Sequence, residues 1–405
     1  MAAVPTLAVL AAAYVLSQFF RTALAVVAPE IAGDLGLDPA RLGVLSSAWF
    51  WAFAAAQLPI GVALDRWGPR RTVSVLFSTA GLGCVVFAGA GDLAAATLGQ
   101  ILIGIGCAPV FMGALVVLAR FFAPARFALL SSLLLAIGSG GTLAGTTPLA
   151  LAADWVGWRG AFLGMGGAVL LVAVAAALVV RDRPPGTAPP AGGETLAAVW
   201  RGLVTVLRNR RLWAILPMCF TGYAVLITVR GLWAGPYLAE VFGFDPVARG
   251  NALLAMSVAM IVGNLAYGGL ERHLDRRRLP VTLGSSGVVL ALLVLAAWPA
   301  TSPATATLLL VTIGALGMTY ALLMAQGRRF LAAHEVGRGL TLLNGACFAG
   351  AATLQAASGL VVGLAGGHGP EAAYRALFAF LALVLALALL SYARSPDPRG
   401  ADGPG

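Results

Sequence analysis

The chain has 405 residues, 60% hydrophobic and only 10% charged, with a mean hydropathy of +0.91. A water-soluble protein of this length covers itself with charged side chains, which usually supply about a quarter of its residues, so a soluble enzyme or a solvated binding module is excluded. The formal net charge of +10 suggests nucleic acid only until the basic residues are located: all 26 are arginines, and they alternate by loop.

Apolar runs bounded by charges, Gly and Pro predict membrane-crossing helices near 6–33, 40–63, 72–91, 93–119, 126–152 and 159–180. A second set follows near 212–240, 248–270, 280–298, 304–327, 339–364 and 372–393. Each is close to the roughly 20 residues a bilayer demands. Ala2 to Leu16 carries no basic segment and runs directly into the first span, so no cleaved signal peptide is expected. With the N-terminus inside, the arginines clustered around positions 66–71, 120–126, 181–211, 272–278, 328–338 and 394–399 lie on the cytoplasmic side, and only Arg41, Arg159, Arg249 and Arg375 lie opposite. Positive charge resists translocation, so both termini are expected in the cytoplasm of a bacterial inner membrane. Cys84, Cys107, Cys219 and Cys347 all fall inside apolar runs, far apart in sequence, and read as small buried hydrophobes rather than as a metal or disulfide pattern.

Between spans six and seven the chain turns rich in Pro, Gly and Arg. The expected organisation is an N-terminal bundle over 1–183, a cytoplasmic linker over 184–210, a C-terminal bundle over 211–395 and a short tail over 396–405. The halves repeat one another. Asp65, Arg66, Arg70 and Arg71 after span two recur as Glu271, Arg272, Arg276 and Arg277 after span eight at identical spacing. Leu35-Gly36-Leu37-Asp38-Pro39 is echoed by Phe242-Gly243-Phe244-Asp245-Pro246. Duplications of this size build many secondary transporters.

The stretch from Gly61 to Arg71, with Asp65, Arg66, Gly68, Arg70 and Arg71 at their places, resembles the signature loop between helices 2 and 3 of the major facilitator superfamily. The resemblance covers nearly the whole chain. It implies an all-α membrane protein of twelve transmembrane helices in two pseudo-symmetric six-helix bundles, transporting a solute by alternating access without a cofactor. The two arginine-rich turns would then act as the cytoplasmic gate, with Asp65 accepting hydrogen bonds from arginines and from a neighbouring helix N-terminus.

Two arginines remain inside spans: Arg21 in the first and Arg230 in the seventh. An arginine at mid-membrane costs at least about 2.5–3.5 kcal/mol, and no carboxylate within the same spans is placed to neutralise them. A visiting anion, held by planar bidentate hydrogen bonds, is the natural partner. Their surroundings resemble helices 1 and 7 of organophosphate exchangers and organic anion symporters, in which paired arginines hold the substrate. The bland alternative is that each arginine snorkels or ties down backbone carbonyls. The chain departs from the proton-coupled members: Phe20 stands where many carry an acid, and Gln100-Ile-Leu-Ile-Gly104 replaces their helix-4 arginine pattern. Glu30, nine residues beyond Arg21 and about 13 Å along the helix, is the one candidate proton site.

Uncharged hydrogen-bonding residues complete the candidate substrate site: Gln18, Tyr14, Tyr223, Gln100, Asn251, Tyr320 and Asn344, with Gln57, Asn264, Tyr267, Gln326 and Gln355 behind them. Gln18 shares the face of Arg21, and Tyr223 stands two turns before Arg230. Any of them can equally join two helices. Glycines 138, 141 and 145 allow close packing of helix 5, which Pro148 is positioned to bend. The expected function is transport of a small anionic metabolite, an organic carboxylate or phosphorylated compound, by a monomer in the bilayer, with no nucleic-acid partner. A proton-driven exporter is the alternative, and copper import through Met256 and Met260 a third, with core filling the commoner use of such a pair.

Overall fold

The computed structural model describes residues 3–182, 207–273, 278–331 and 336–394, and every regular element among them is helical. The first five helices are α1 (Ala3–Leu35), α2 (Pro39–Ala88), α3 (Leu93–Phe121), α4 (Pro124–Ala144) and α5 (Thr147–Val179). Two of these are broken by glycines of positive φ: α2 at Gly68 (φ 79°) and α5 at Gly157 (φ 72°). The breaks fall between the spans read as 40–63 and 72–91 and between 126–152 and 159–180. The bend expected at Pro148 appears just before it, where α4 ends and α5 begins.

After a short α6 (Arg210–Trp213) the seventh span is α7 (Leu216–Thr228), a π-helical turn (Val229–Trp233) and α8 (Ala234–Phe242). Then follow α9 (Pro246–His273), α10 (Arg278–Ala297), α11 (Pro303–Leu316), α12 (Tyr320–Arg329), α13 (Val336–Ala365) and α14 (Pro370–Tyr392). Ten stretches among the described residues are long and apolar enough to cross a membrane. Leu129, Leu171, Leu178, Leu265 and Leu364 are all at least 70% exposed, a surface that suits lipid and not water. Most of the linker, including Arg183 and Arg201, and the tail beyond Arg394 lie outside the described residues.

The echoed Gly-x-Asp-Pro segments have a local cause. Gly36 (φ 60°) and Gly243 (φ 69°) adopt the left-handed conformation that ends a helix. Two residues later Asp38 and Asp245 accept hydrogen bonds from the backbone N–H of Arg41 (2.8 Å) and Ala248 (2.7 Å), and Pro39 and Pro246 open the next helices. The repeat is a stop-and-start signal used once in each half.

The chain divides into two compact units, one of residues 1–37 and 44–199, the other of residues 38–43 and 200–405. In the first, α1 packs against α3, α4 and α5. Its two ends are tied to α5: Thr6 Oγ1 donates to the Val179 carbonyl (3.3 Å), and Asp34 accepts from Trp158 Nε1 (2.9 Å) and pairs with Arg159. Arg159, read as one of the few outward loop arginines, thereby becomes a helix clamp, with a second bond to the Ala90 carbonyl (3.2 Å). Gly141 of α4 lies so close to α1 that a Cβ there would overlap the Val15 carbonyl oxygen, and Gly350 of α13 stands in the same relation to Phe220 of α7. Helix packing in lipid depends on such small residues, because apolar side chains gain nothing by leaving an apolar solvent.

Where helices break, side-chain hydroxyls meet the freed carbonyls. Tyr267 donates to Leu316 (2.9 Å) at the break between α11 and α12, and Thr22 donates to Thr142 (3.4 Å) just before the break between α4 and α5. An open carbonyl has no water to turn to in the hydrocarbon region. Tyr267 thereby joins α9 to the end of α11. Gln326, fully buried, accepts from the Tyr392 hydroxyl (2.5 Å).

The packing makes a sharp prediction. Gly141→Ala and Gly350→Ala should each lower stability by about 1–3 kcal/mol, the usual cost of overpacking, in thermal unfolding of the detergent-purified protein. Gly164→Ala and Gly345→Ala, with open space where the methyl would lie, should leave the melting temperature unchanged or slightly raised.

Candidate functional site

Arg21 lies in the middle of α1, half-buried. Its guanidinium carbon is 5.1 Å from the ring centre of Phe53 and 5.8 Å from that of Trp49, both on α2. Trp49 and Phe53 are four residues apart, so they share a helix face, and their rings stack at 5.0 Å with 15° between planes. A guanidinium over aromatic faces is attracted by their quadrupoles while its N–H donors point sideways, along its own plane. Gln18, one turn earlier, is half-buried. Tyr14 has a packing role: its ring stacks on Phe111 (5.0 Å) and abuts Gly138 of α4. Gln100 is buried in α3, and Glu30 is half-buried one residue past Pro29.

Arg230 occupies the π-helical turn between α7 and α8 and is 2% exposed. Its Nε and Nη2 both donate to Ser257 Oγ on α9, at 3.1 and 2.7 Å. Ser257 in turn donates to the Leu253 carbonyl one turn back, at 2.6 Å. Among the described residues no carboxylate lies within ion-pairing distance of Arg230. Ser257 is the residue that sequence reading missed. In the sequence Ser257 is one hydroxyl in span eight, next to Met256 and three residues before Met260. Those methionines pack on Gly314 of α11, whose added Cβ would lie 3.0 and 3.4 Å from their Cγ atoms, and so act as fill between helices. No group of three or more His, Cys, Asp or Glu suited to a metal occurs among the described residues.

Three other candidates come together from separate helices. The Tyr223 ring of α7 faces Tyr320 of α12 at 5.5 Å and Phe348 of α13 at 5.9 Å, and the Tyr320 hydroxyl donates to Asn344 Oδ1 at 2.7 Å. Asn251, near the start of α9, is exposed. Arg249, read as a loop residue, is instead helical and buried.

At the arginine-rich turn of α2 the geometry corrects the expectation for Asp65. Gly68 reverses the chain, and a second helical segment starts at Pro69. The carboxylate that meets this helix start belongs to Asp182, which accepts from the Arg70 backbone N–H at 2.7 Å. A Cβ on Gly68 would lie 2.6 Å from the same carboxylate. Arg70 Nε donates to the Ala177 carbonyl (2.6 Å) and Arg120 Nη1 to that of Asp182 (3.2 Å). Trp67, Arg70, Arg71, Ser74, Val75, Ala177 and Asp182 enclose a cleft of about 480 Å³. Asp65, Arg66 and Arg71 are exposed, and among the described residues Asp65 makes no hydrogen bond. The sequence offered no spacing that links Asp182 to a loop over a hundred residues earlier. In the second half the side chains of Glu271 and Arg272, and all of Arg276 and Arg277, lie outside the described residues.

Long apolar helices with small-residue contacts, a duplicated stop-and-start signal and arginines inside the spans define a multi-pass membrane carrier. The chain belongs to the Major Facilitator Superfamily, whose family model matches residues 10–355; it is a transporter and not an enzyme. Human monocarboxylate transporter 11 is 33% identical over 234 residues, 55% of this chain and 45% of that protein. The probable sulfoacetate transporter SauU of Cupriavidus necator is 26% identical over 301 residues, 70% of this chain and 68% of that protein. The chain thus spans under half the length of the first relative and about two thirds of the second. The solved structure of a bacterial homologue of the human lysosomal transporter Spinster, inward-facing and unoccupied, superposes with a TM-score of 0.75 at 17% identity, covering 96% of each chain.

Asp182→Ala should cost about 1–2 kcal/mol, the range for loss of a helix cap, in detergent melts. Asp65→Ala should stay within about 0.5 kcal/mol of the parent. Equal losses at the two positions would contradict the assignment of the cap to Asp182.

Proposed function

We propose that this transporter moves a small organic anion, a carboxylate or a compound of similar charge, with Arg21 and Arg230 as its cationic contacts. The reading includes twelve spans in two six-helix bundles, an N-terminal one over 1–183 and a C-terminal one over 211–395. It also places both termini in the cytoplasm of a bacterial inner membrane. The observation that carries it is Arg230: a guanidinium 2% exposed in the middle of a span, whose hydrogen bonds within the described residues go to one neutral hydroxyl. Such a charge costs a few kcal/mol in hydrocarbon, and a neutral hydroxyl does not cancel it. An anion that arrives and leaves does.

Arg21 supports the same reading from the first unit. Its aromatic seat steadies the flat face of the guanidinium in the middle of α1. Gln18, one turn away, adds an uncharged donor, and Tyr223, Tyr320 and Asn344 supply an aromatic and amide surface for the body of the solute. A monocarboxylate and a sulfoacetate transporter among the relatives support a compact organic anion. In this reading the gate consists of Asp65, Arg66, Arg70 and Arg71 with Glu271, Arg272, Arg276 and Arg277, and Asp182 stiffens the first of the two turns.

An uncompensated cation also bears on the transport cycle. An empty carrier must close a low-dielectric site around positive charge, whereas a loaded one does not, so the empty form crosses slowly. Proteoliposomes loaded with lactate or sulfoacetate should show efflux accelerated several-fold by the same anion outside. Arg21→Ala and Arg230→Ala should each weaken ligand-induced thermal stabilisation by roughly 30-fold in apparent affinity, the scale of truncating one side of a buried charge contact. Efflux indifferent to external anion, together with full stabilisation of Arg230→Ala by ligand, would remove the proposal.

A further inference from the structure

We infer that Ser257 is a positioning residue that occupies the Nε–Nη2 edge of the Arg230 guanidinium and so commits the arginine to receive its anion through the adjacent Nη1–Nη2 fork. The inference rests on the anion-binding role of Arg230 proposed above and adds the residue that sets its orientation.

A guanidinium has five N–H donors arranged in one plane. Two of them, on Nε and on the side of Nη2 that faces it, form the side edge, and both meet Ser257 Oγ, at 3.1 and 2.7 Å. Three remain: one further hydrogen of Nη2 and two of Nη1. The Nη1–Nη2 fork is a complete bidentate surface for a carboxylate or sulfonate. The side edge, which would otherwise offer an equivalent surface, is taken.

Ser257 is itself locked. A hydroxyl has one hydrogen to give and two lone pairs to receive. Its hydrogen goes to the Leu253 carbonyl at 2.6 Å, and its oxygen accepts twice from Arg230. Its capacity is used up, and the side chain is fully buried, so it has no alternative partner to swing toward. The i−4 carbonyl bond fixes the hydroxyl to the axis of α9, and through it the arginine of one helix is referenced to the frame of another. The backbone beneath Arg230 fits this role. A π-helical turn inserts one residue into the helical register, which displaces the side-chain direction from that of an uninterrupted α-helix. The turn and the hydroxyl together give Arg230 one orientation instead of the many its long side chain would sample.

The experiment measures uptake of radiolabelled sulfoacetate and of lactate into proteoliposomes. Ser257→Ala should raise the half-saturation concentration roughly tenfold, the value of a hydrogen bond to a charged group, with the maximal rate within about twofold. Ser257→Thr keeps a hydroxyl able to bond the carbonyl four residues back and should stay within about twofold of the parent. In an Arg230→Lys background, Ser257→Ala should add less than about twofold, because a single ammonium has no edge to hold. Should Ser257→Ala fail to yield folded protein, Ser257→Cys, similar in size and a much weaker acceptor, takes its place with the same expected shift. An unchanged half-saturation in Ser257→Ala, with uptake abolished by Arg230→Ala, overturns the positioning role and leaves the anion reading standing. A tenfold shift that persists in the Arg230→Lys background also overturns it, since Ser257 would then act elsewhere. If the parent takes up neither anion, or if Arg230→Ala transports like the parent, the anion reading falls and the positioning role falls with it.

Discussion

A guanidinium that stays charged inside a low-dielectric slab governs the arrangement around it. Arginine holds its proton far more firmly than the other cationic side chains, because guanidinium delocalises its charge. The protein therefore has to supply hydrogen-bond acceptors and polarisable surface around each guanidinium. The second unit uses one saturated hydroxyl for Arg230. The first sets Arg21 against two stacked aromatic rings. Each arrangement offsets part of the cost of burial, and Ser257 leaves a bidentate fork of Arg230 open.

The helices that carry these arginines also have to hold together in lipid, where the hydrophobic effect gives no preference for helix over solvent. The contacts that do this are close backbone approaches, as at Gly141 against Val15 and Gly350 against Phe220. Hydroxyls placed at helix breaks complete them, as Tyr267 at Leu316. Gly141 packs on α1, which carries Arg21, and Gly350 packs on α7, which runs directly into the π-helical turn that carries Arg230. Backbone contact is insensitive to rotamer changes, and it gives an arginine a base that does not shift when a long side chain nearby moves.

Much of this was legible because the relevant signals are periodic or punctuated. Apolar runs marked the spans, and the echo of Gly36-x-Asp38-Pro39 at Gly243-x-Asp245-Pro246 was visible as a repeat, whereas its stop-and-start role shows only in the backbone. Arg21 and Arg230 stood out because mid-span charge is rare. What stayed hidden depends on pairing across helices. Nothing in the sequence tells that the Tyr14 ring abuts Gly138 or that Tyr267 donates to the Leu316 carbonyl. Asp182 looks like a linker residue until Gly68 opens the space for its carboxylate. Ser257 is one hydroxyl among many in the spans, and only the distance to Arg230 singles it out. The π-helical turn is equally silent, because one inserted residue leaves the apolar composition unchanged.

The two arginines are held by unlike means, and the difference has a consequence for recognition. A stack over aromatic faces restrains the tilt of a guanidinium but resists rotation in its own plane only weakly, because the attraction comes from the ring quadrupole and not from directed bonds. A hydroxyl bonded to two donors on one edge resists that rotation strongly, because turning breaks both bonds at once. In the anion reading proposed above, the aromatic seat by itself would let Arg21 meet a charged group over a range of approach angles, whereas Ser257 would hold Arg230 to one. The asymmetry between the two units lies in these seats: the aromatic pair on α2 holds its arginine by the ring quadrupoles, and the hydroxyl on α9 holds the other by directed bonds.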